Sequence, residues 1–383
     1  MQSSIIPISR LPSVGTTIFA TIAELAQRHN AINLAQGAPD FDCDPVLVDY
    51  ACKAMRDGLN QYAPMIGVQA LRAAIVHKVN VLYHCDYDVE TEVTITNSAS
   101  EGLYAAITAL LHPGDEVIYF EPSFDSYGPS VRLQGAIPVS IKLPSPSFKI
   151  DWQEVEAKIN AKTRMIIINS PHNPSGSILN QQDIDALIRL TDNTNIIILS
   201  DEVYEHVVFD HEHHSMSAHP KLAERSVIIG SFGKSFNVTG WRIGHCLAPE
   251  ALSVEIRKIH QYLTFSADTP AQHALAEYMQ NPQTYLGQAE LYQKKRDLLI
   301  RCLANSRLKL LPCDGAFFIL ADYSAISDMS DTDFVQYLIT EFGVATVPVS
   351  SFYTDATDNK YIRLSFAKRD QVIIDAAAKL CMA

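Results

Sequence analysis

The sequence has few cysteines, and none of them form a C-x-x-C pair. The seven cysteines are scattered through 383 residues. An odd and scattered set does not build a disulfide framework and is typical of reduced thiols. We therefore expect a cytoplasmic protein with reduced thiols rather than disulfides.

Long hydrophobic runs are also absent. No apolar stretch approaches the roughly 20 residues that a membrane-spanning helix needs. The first residues, MQSSIIPISRLPSVGTT, lack a continuous apolar core behind a basic start, so we expect no signal peptide. Both observations predict a protein without a membrane partner.

Positive charge is in deficit. The chain has 30 basic and 43 acidic residues and a formal net charge of −13, which argues against binding to nucleic acid or to an anionic membrane surface. No G-x-G-x-x-G follows a predicted strand, which argues against a nicotinamide-dependent oxidoreductase. An anionic ligand must therefore be held by a local cluster of donors.

Short β-branched runs alternate with helical patterns in the first three quarters of the chain. The predicted helices are 100–111 and 181–191. The β-branched runs are apolar throughout, which is typical of central strands in a mainly parallel sheet covered on both faces. The pattern predicts an α/β fold with strands at 93–96, 116–120, 164–169, 196–200 and 226–230.

The pattern changes after about residue 284. A long helix is predicted at 284–304, followed by strands at 316–321, 344–347 and 361–366. We therefore predict a large domain over 44–284 and a smaller α/β domain over 285–383, with residues 1–43 forming an N-terminal arm and part of the small domain.

Polar side chains follow each predicted strand of the large domain. Because ligands of open α/β sheets bind beyond the carboxyl ends of the strands, we expect these side chains to form one pocket. They include hydroxyls, an aromatic ring, an amide, a carboxylate, a phenol and an amine, contributed by Ser98, Ser100, Phe124, Asn173, Asp201, Tyr204, Ser231 and Lys234.

One end of this pocket has the character of a phosphate site. Ser98 and Ser100 stand at a predicted helix start, where backbone N–H groups bind anions. Ser231 adds a hydroxyl, and Arg242 adds a planar guanidinium that suits phosphate.

The other groups match an aromatic aldehyde cofactor. Phe124 offers a flat face, Asp201 can pair with a protonated ring nitrogen, and Asn173 and Tyr204 can bind a ring oxygen. Lys234 is a nucleophilic amine whose pKa we expect a cationic neighbourhood to lower. Together with the phosphate site, these groups describe pyridoxal phosphate.

The motifs that carry these residues resemble those of class I, fold-type I aminotransferases. Their order and spacing match from residue 11 to about residue 380. The similar segments are QGAPDF (36–41), NQYAPMIGVQALRAAI (60–75), PHNPSG (171–176), SDEVY (200–204), SFGKSFNVTGWRIG (231–244) and YIRLSF (361–366).

The resemblance implies a role for each residue around the cofactor ring. Lys234 carries pyridoxal phosphate as an internal aldimine and shuttles the proton. Asp201 holds the ring nitrogen, Tyr204 and Asn173 bind the ring hydroxyl, and Phe124 stacks on the ring. Many relatives have Trp where Phe124 stands.

The resemblance also implies which residues bind the cofactor phosphate and the substrate. The phosphate is held by Ser231, Arg242 and the backbone of Ala99 and Ser100; many relatives have Gly where Ser98 stands. Tyr62 reaches the phosphate of the neighbouring subunit, which implies a homodimer with shared active sites. The substrate α-carboxylate is bound by Arg363, the Gly37 backbone and Asn173.

Within the family, the chain is most similar to bacterial methionine aminotransferases and the neighbouring kynurenine–glutamine aminotransferases. Dicarboxylate-specific relatives carry a second arginine near 261–265, but no arginine lies between 258 and 270. Tyr262 and Phe265 indicate a neutral pocket, with Ile18, Phe19 and Phe317 as possible walls. We therefore expect ping-pong transamination of neutral or aromatic L-amino acids, methionine first, with a 2-oxo acid acceptor.

Two alternatives concern the chemistry. A cysteine-conjugate β-lyase on the same fold and cofactor is not excluded by any residue. The segment DHEHHS (210–215) is histidine-rich, but its histidines are spaced too closely for a helical metal site. We interpret it as a solvated loop and expect no metal.

Overall fold

The computed structural model describes residues 8–383. Helices and strands alternate along most of this length. The helices are α1 (Ile18–Arg28), α2 (Pro45–Arg56), α3 (Gln69–Tyr83), α4 (Ala99–Leu110), α5 (Tyr127–Leu133), α6 (Trp152–Lys158), α7 (Gln181–Thr191), α8 (Pro220–Ala223), α9 (Phe232–Ser235), α10 (Glu250–Leu263), α11 (Thr269–Tyr278), α12 (Gln283–Leu286), α13 (Gln288–Leu303), α14 (Asp331–Tyr337) and α15 (Asp370–Leu380).

The strands form three sheets. They are β1 (Ile32–Asn33), β2 (Val93–Thr96), β3 (Glu116–Glu121), β4 (Ile137–Lys142), β5 (Thr163–Asn169), β6 (Ile197–Asp201), β7 (Ser226–Ser231), β8 (Gly244–Leu247), β9 (Lys309–Leu310), β10 (Phe318–Asp322), β11 (Val344–Ala345), β12 (Val347–Pro348) and β13 (Tyr361–Ser365).

The central sheet has seven strands in the order β2-β8-β7-β6-β5-β3-β4. Six run in the same direction, and β8 is antiparallel to both of its neighbours. The five predicted strands and their mainly parallel arrangement are confirmed. The carboxyl ends of β2, β3, β5, β6 and β7 therefore meet at one edge of the sheet.

Two strands of this sheet, β4 and β8, were not predicted from the sequence. β4 lies at the sheet edge and has mostly exposed or half-buried residues and a proline, so it lacks a continuous apolar run. β8 has only four residues, all buried, and begins with a glycine. Short central strands are fixed by their neighbours rather than by their own propensity.

The predicted helices at 100–111 and 181–191 are confirmed as α4 and α7. A capping box explains where α7 begins: the Asn180 and Asp183 side chains each accept from the other residue's backbone N–H. The single helix predicted over 284–304 is wrong in one respect, because Gly287 separates α12 from α13.

The smaller sheet is antiparallel, in the order β12-β13-β10-β9, and β1 pairs with β11 in parallel. The strand predicted over 344–347 is really two. Val344–Ala345 pairs with β1, whereas Val347–Pro348 pairs with β13. Long-range pairing to two different partners decided this division.

One buried apolar cluster joins the N-terminal segment to the C-terminal part of the chain. It includes Ile22 and Leu34 together with Leu299, Phe334 and Leu380. The assignment of residues 1–43 to an arm and part of the smaller domain stays a prediction, as do the boundaries at 44 and 284, and residues 1–7 lie outside the described part of the chain.

The interpretation of DHEHHS as a solvated loop is wrong for His213 and for Ser215, which is 1% exposed. The His213 side chain is 5% exposed, and its Nε2 lies 2.9 Å from Glu202 Oε2. His211 is exposed, as expected. The buried carboxylate beneath the loop draws His213 inward, a tertiary contact that the local sequence does not reveal.

Within residues 8–383, none of the helices combines the length and the apolar character needed to span a membrane.

Candidate active site

A cavity of about 470 Å³ lies at the carboxyl ends of the parallel strands. Its lining includes every residue predicted to act in catalysis or to bind the cofactor or the α-carboxylate, except Tyr62. The lining residues are Phe19, Gln36, Gly37, Ala38, Ser98, Ala99, Ser100, Leu103, Phe124, Asn169, Asn173, Asp201, Val203, Tyr204, Ser231, Lys234, Arg242, Phe318 and Arg363.

One end of the cavity is formed by the N-terminus of α4. The first intrahelical bond runs from the Gly102 N–H to the Ser98 carbonyl at 3.2 Å, so the N–H groups of Ala99 and Ser100 precede the helix ladder and are available to an anion. Ser98 has φ +80°. That left-handed conformation suits glycine, which explains why many relatives have glycine there.

Gly244 makes this cradle possible. A Cβ at Gly244 would lie 2.5 Å from the Ala99 nitrogen and 2.8 Å from the Gly230 carbonyl oxygen. Only a glycine lets β8 pass this close to the start of α4. This close contact explains why the last residue of SFGKSFNVTGWRIG is a glycine.

The donors beside α4 complete a cationic end. Ser231 is the last residue of β7, and Arg242 is exposed, with φ +56°. Arg242 Nη1 donates to the Thr239 carbonyl at 3.2 Å, which fixes the guanidinium near the turn. Hydroxyl, guanidinium and helix N–H groups together suit a phosphate.

Lys234 lies on α9, directly after β7. Its Nζ donates to the Gly37 carbonyl oxygen at 3.0 Å. Burial, reinforced by the positive charges of Arg363 and Arg242, lowers the pKa of Lys234 to about 8, although Asp201 opposes the shift. A lysine with this pKa has a substantial neutral fraction near neutrality, which makes it a nucleophile and a base.

Asp201 ends β6 and is buried. Its Oδ2 accepts a 2.6 Å hydrogen bond from the Tyr127 phenol, and its Oδ1 accepts a 3.4 Å bond from the Val203 N–H. Burial raises the pKa of Asp201 to about 6 against these hydrogen bonds. A buried carboxylate of this kind is completed by a cationic N–H group in the cavity.

Arg363 lies on β13 and is 2% exposed. Its Nη1 donates to Asn173 Oδ1 at 2.7 Å and its Nη2 to the Ala35 carbonyl at 2.9 Å. Among residues 8–383, no hydrogen-bond partner reaches its buried Nε. Burial lowers the pKa of Arg363 to about 10, so the guanidinium remains charged and suits a ligand carboxylate.

Aromatic rings surround Arg363. The guanidinium carbon lies 3.9 Å from the Phe318 ring centroid, 5.0 Å from that of Phe352 and 5.3 Å from that of Phe19. Cation–π contacts of this kind hold the planar group in one orientation. The ring of Phe318 also explains Gly37, where a Cβ would lie 2.5 Å from it.

The predicted apolar walls are only partly right. Phe19 lines the cavity, but Ile18 does not. Phe317 is fully buried, with its ring 5.0 Å from that of Tyr204, and Phe318 takes its place at the cavity. The side chains of adjacent residues entering a strand point to opposite faces of the sheet. A shift of one residue therefore decides which side chain lines the cavity and which is buried in the core.

Tyr62, Tyr262 and Phe265 lie outside the cavity. Tyr62 is 84% exposed and Tyr262 86% exposed, and the Tyr62 and Phe265 rings meet edge to face at 5.5 Å. A single chain therefore leaves these predicted residues on its surface.

Tyr127 and Asn169 belong to the site but were not predicted from the sequence. Asn169 Oδ1 accepts from the Asn173 N–H at 2.8 Å, and its Nδ2 donates to the Asp201 carbonyl at 3.0 Å. Its place at the end of the strand 164–169 could have revealed it. Tyr127 follows a loop without a recognisable motif, so no local signal marked it.

The donor set fits a phosphorylated aromatic cofactor rather than a metal. An anion cradle, a buried carboxylate and a lysine amine line one cavity together with Phe124, Asn173 and Tyr204. Across residues 8–383, no group of three or more His, Cys, Asp or Glu residues is arranged to hold a metal ion.

Aminotransferases are among the known proteins whose sequences are similar to this chain. The chain is 49% identical over 381 residues to methionine aminotransferase of Escherichia coli (strain K12), with 99% of each chain covered. It is 32% identical to kynurenine–oxoglutarate transaminase 3 of Homo sapiens, covering 98% of this chain and 89% of the relative. The β-lyase alternative gains no support from these relatives.

The fold agrees. A solved Escherichia coli structure with methionine aminotransferase function superimposes with a TM-score of 0.96 at 48% identity, covering 99% of this chain and all of that one. The family description "Aminotransferase class I and II" matches residues 29–380. The chain, with a lysine, a carboxylate and an arginine clamp in one cavity, belongs to the class I and II aminotransferases.

Proposed function

We propose that the protein is a pyridoxal-phosphate-dependent aminotransferase that transfers the amino group of a neutral or aromatic L-amino acid, methionine first, to a 2-oxo acid. The observation that carries the proposal is the convergence of Lys234, Asp201 and the N-terminus of α4 in one cavity. The Escherichia coli relative that acts on methionine supports the choice of donor.

The phosphate of the cofactor would be held by Ser231, Arg242 and the backbone N–H groups of Ala99 and Ser100. Helix N–H groups and a guanidinium together bind a phosphate more strongly than a single cation does. These groups would anchor one end of the cofactor and thereby set the position of its reactive carbon.

The ring would be held from several sides. Asp201 would bind the ring nitrogen, Asn173 and Tyr204 the ring oxygen, and Phe124 one face. When bound, pyridoxal phosphate supplies an electron sink that stabilises a carbanion at the substrate Cα. Asp201 keeps that sink effective, because a buried carboxylate favours the protonated ring nitrogen.

Lys234 would carry the proton. Its Nζ would take up the proton that leaves the substrate Cα and would release it again later in the same half-reaction. A lysine pKa of about 8 suits this work near neutral pH, and a positioned base commonly contributes ~10²–10⁴-fold to such a step. The same Nζ would bond to the cofactor between turnovers.

The α-carboxylate would be bound by Arg363, with the Gly37 backbone and Asn173 beside it. Asn173 already accepts from Arg363 Nη1 at 2.7 Å, so amide and guanidinium are held as one unit. The unpartnered Nε of Arg363 offers a further donor to the incoming carboxylate.

The walls favour an uncharged side chain. Phe19, Leu103 and Phe318 are apolar residues of the lining, and its cationic side chains are Lys234, Arg242 and Arg363. Each of these cations already has a role at the cofactor or at the α-carboxylate. Along residues 8–383, the lining therefore has no further cation to neutralise the second carboxylate of aspartate or glutamate.

The experiment that tests the function is a visible absorption spectrum after addition of pyridoxal phosphate. We expect a cofactor band that bleaches on addition of L-methionine and returns on addition of a 2-oxo acid, because the amino group passes to the cofactor and then to the acceptor. L-Aspartate is the control, and it should bleach the band at least about tenfold more slowly, since its second carboxylate stays unpaired. Equal rates with the two amino acids would refute the neutral pocket.

We also propose a homodimer with shared active sites. The exposed aromatic residues Tyr62, Tyr262 and Phe265 form a surface that a second copy would cover. In that dimer Tyr62 would reach the cofactor phosphate of the other subunit. Seven free thiols, which are typical of a reducing compartment, support a cytoplasmic location as part of the proposal.

A mixing experiment tests the shared site. Tyr62→Ala should weaken cofactor binding, and Lys234→Ala should be inactive. Exchange of subunits between the two variants should restore activity at limiting cofactor, because the site with Lys234 then receives Tyr62 from its neighbour. If Tyr62 served its own chain, mixing would restore nothing.

A further inference from the structure

Tyr127 lies directly behind the site already described. It is the first residue of α5, is 3% exposed, and its phenol oxygen lies 2.6 Å from Asp201 Oδ2. Its ring also meets Phe124 edge to face, with 5.7 Å between centroids. One side chain thus contacts both the carboxylate and the aromatic residue assigned to the cofactor ring.

The hydrogen bond has a defined direction. A carboxylate only accepts, so the phenol donates. Burial and the neighbouring charge of Asp201 raise the pKa of Tyr127 well above its usual value, which keeps its proton in place. Within residues 8–383, Tyr127 is the one side chain that donates to the Asp201 carboxylate; the second donor is the Val203 N–H at 3.4 Å.

The surroundings leave little else to fix the charge of Asp201. Burial favours the protonated acid, and the adjacent Glu202 carboxylate acts in the same direction, whereas Lys234 and the Tyr127 hydrogen bond favour the anion. In catalysis Lys234 changes its own charge as it takes and returns a proton. The two hydrogen-bond donors stay constant throughout, and the Tyr127 phenol at 2.6 Å is the shorter and stronger of them, since the Val203 N–H lies at 3.4 Å.

We propose that Tyr127 is a positioning residue that acts through Asp201: its phenol holds this carboxylate as an anion aimed at the cofactor ring nitrogen. The inference rests on the proposed function. A hydrogen bond to a charged acceptor is stronger than one between neutral groups. Without it, Asp201 would compete for the ring nitrogen's proton and the ring would withdraw electrons less strongly.

The test is Tyr127→Phe, which removes only the phenol oxygen. The cofactor's visible band reports the protonation of a group on the cofactor. We expect the apparent pKa of that group to rise by roughly one unit, because a less cationic ring makes the group more basic. We expect kcat for methionine to fall about tenfold, equivalent to about 1.4 kcal/mol, with KM changed less than about twofold. Cofactor affinity should fall in parallel.

A matched control is Tyr119→Phe. The Tyr119 phenol is also buried and also donates to a carboxylate, Glu121 Oε1, at 3.1 Å, but it lies outside the cavity lining. Its loss should leave the band's pKa unchanged. A loss of stability alone would affect both variants and would leave the pKa of the folded enzyme unchanged.

A double variant gives a second test. In Asp201→Asn the anion is already absent, so adding Tyr127→Phe should shift the band's pKa no further. An unchanged pKa in Tyr127→Phe, or full additivity in the double variant, would overturn the inference. Absence of any cofactor band in the unaltered protein would instead refute the proposed function.

Discussion

Lys234→Ala is expected to lose the cofactor's visible band and to reduce transamination by roughly 10⁴-fold, the upper end of the range for a positioned base. The variant loses both the amine that bonds to the cofactor and the base that moves the Cα proton. Spectra with added pyridoxal phosphate and single-turnover rates with methionine measure the two losses separately.

Two further variants test whether the loss is specific to the amine of Lys234. Lys234→Arg keeps the positive charge, but its guanidinium stays protonated and serves as neither nucleophile nor base, so it should be as inactive as the alanine variant. Lys295→Ala removes another buried lysine, whose Nζ donates to the Lys368 carbonyl at 2.7 Å outside the cavity. It should keep the band. Substantial turnover by Lys234→Arg would contradict the role given to Lys234.

Arg363→Lys is expected to lower kcat/KM for methionine by about 10²-fold while leaving the cofactor band in place. A lysine keeps the charge but cannot offer two parallel N–H donors to the substrate carboxylate. A charged hydrogen-bond pair of this kind contributes up to ~3 kcal/mol. The loss should appear in KM for both the amino acid and the 2-oxo acid, since both carry this carboxylate.

Arg369→Ala is the matched control for Arg363. Arg369 stands six residues further along and is exposed, with Nε 3.9 Å from Asp40 Oδ2. An exposed pair at this distance contributes little, so KM should stay unchanged. If Arg363→Lys retained a normal KM, the α-carboxylate would have to bind elsewhere in the cavity.

The large domain could be predicted because its signals are local. Strands such as Thr163–Asn169 contain a continuous apolar run, here Met165 to Ile168, and helix α7 carries its own capping box. The polar residue after each strand then indicated the cavity, because parallel strands bring their carboxyl ends to one edge. That rule alone brought together residues as distant as Ser98 and Lys234.

The structure decided what depends on a neighbour. β8 was missed because its four residues carry no strand signal of their own, and the segment at 344–347 is divided because its halves have different partners. Phe318 rather than Phe317 lines the cavity, since one residue of register exchanges the two faces.

By itself the sequence determined the α/β class, the motifs and the chemical character of the pocket, because residue type and spacing carry that information. The tertiary structure alone decided the contacts between distant segments. It placed the Tyr127 phenol 2.6 Å from Asp201, 74 residues away, and Asn173 beside Arg363, 190 residues away. Such pairs follow from the packing of whole elements, which no local pattern encodes.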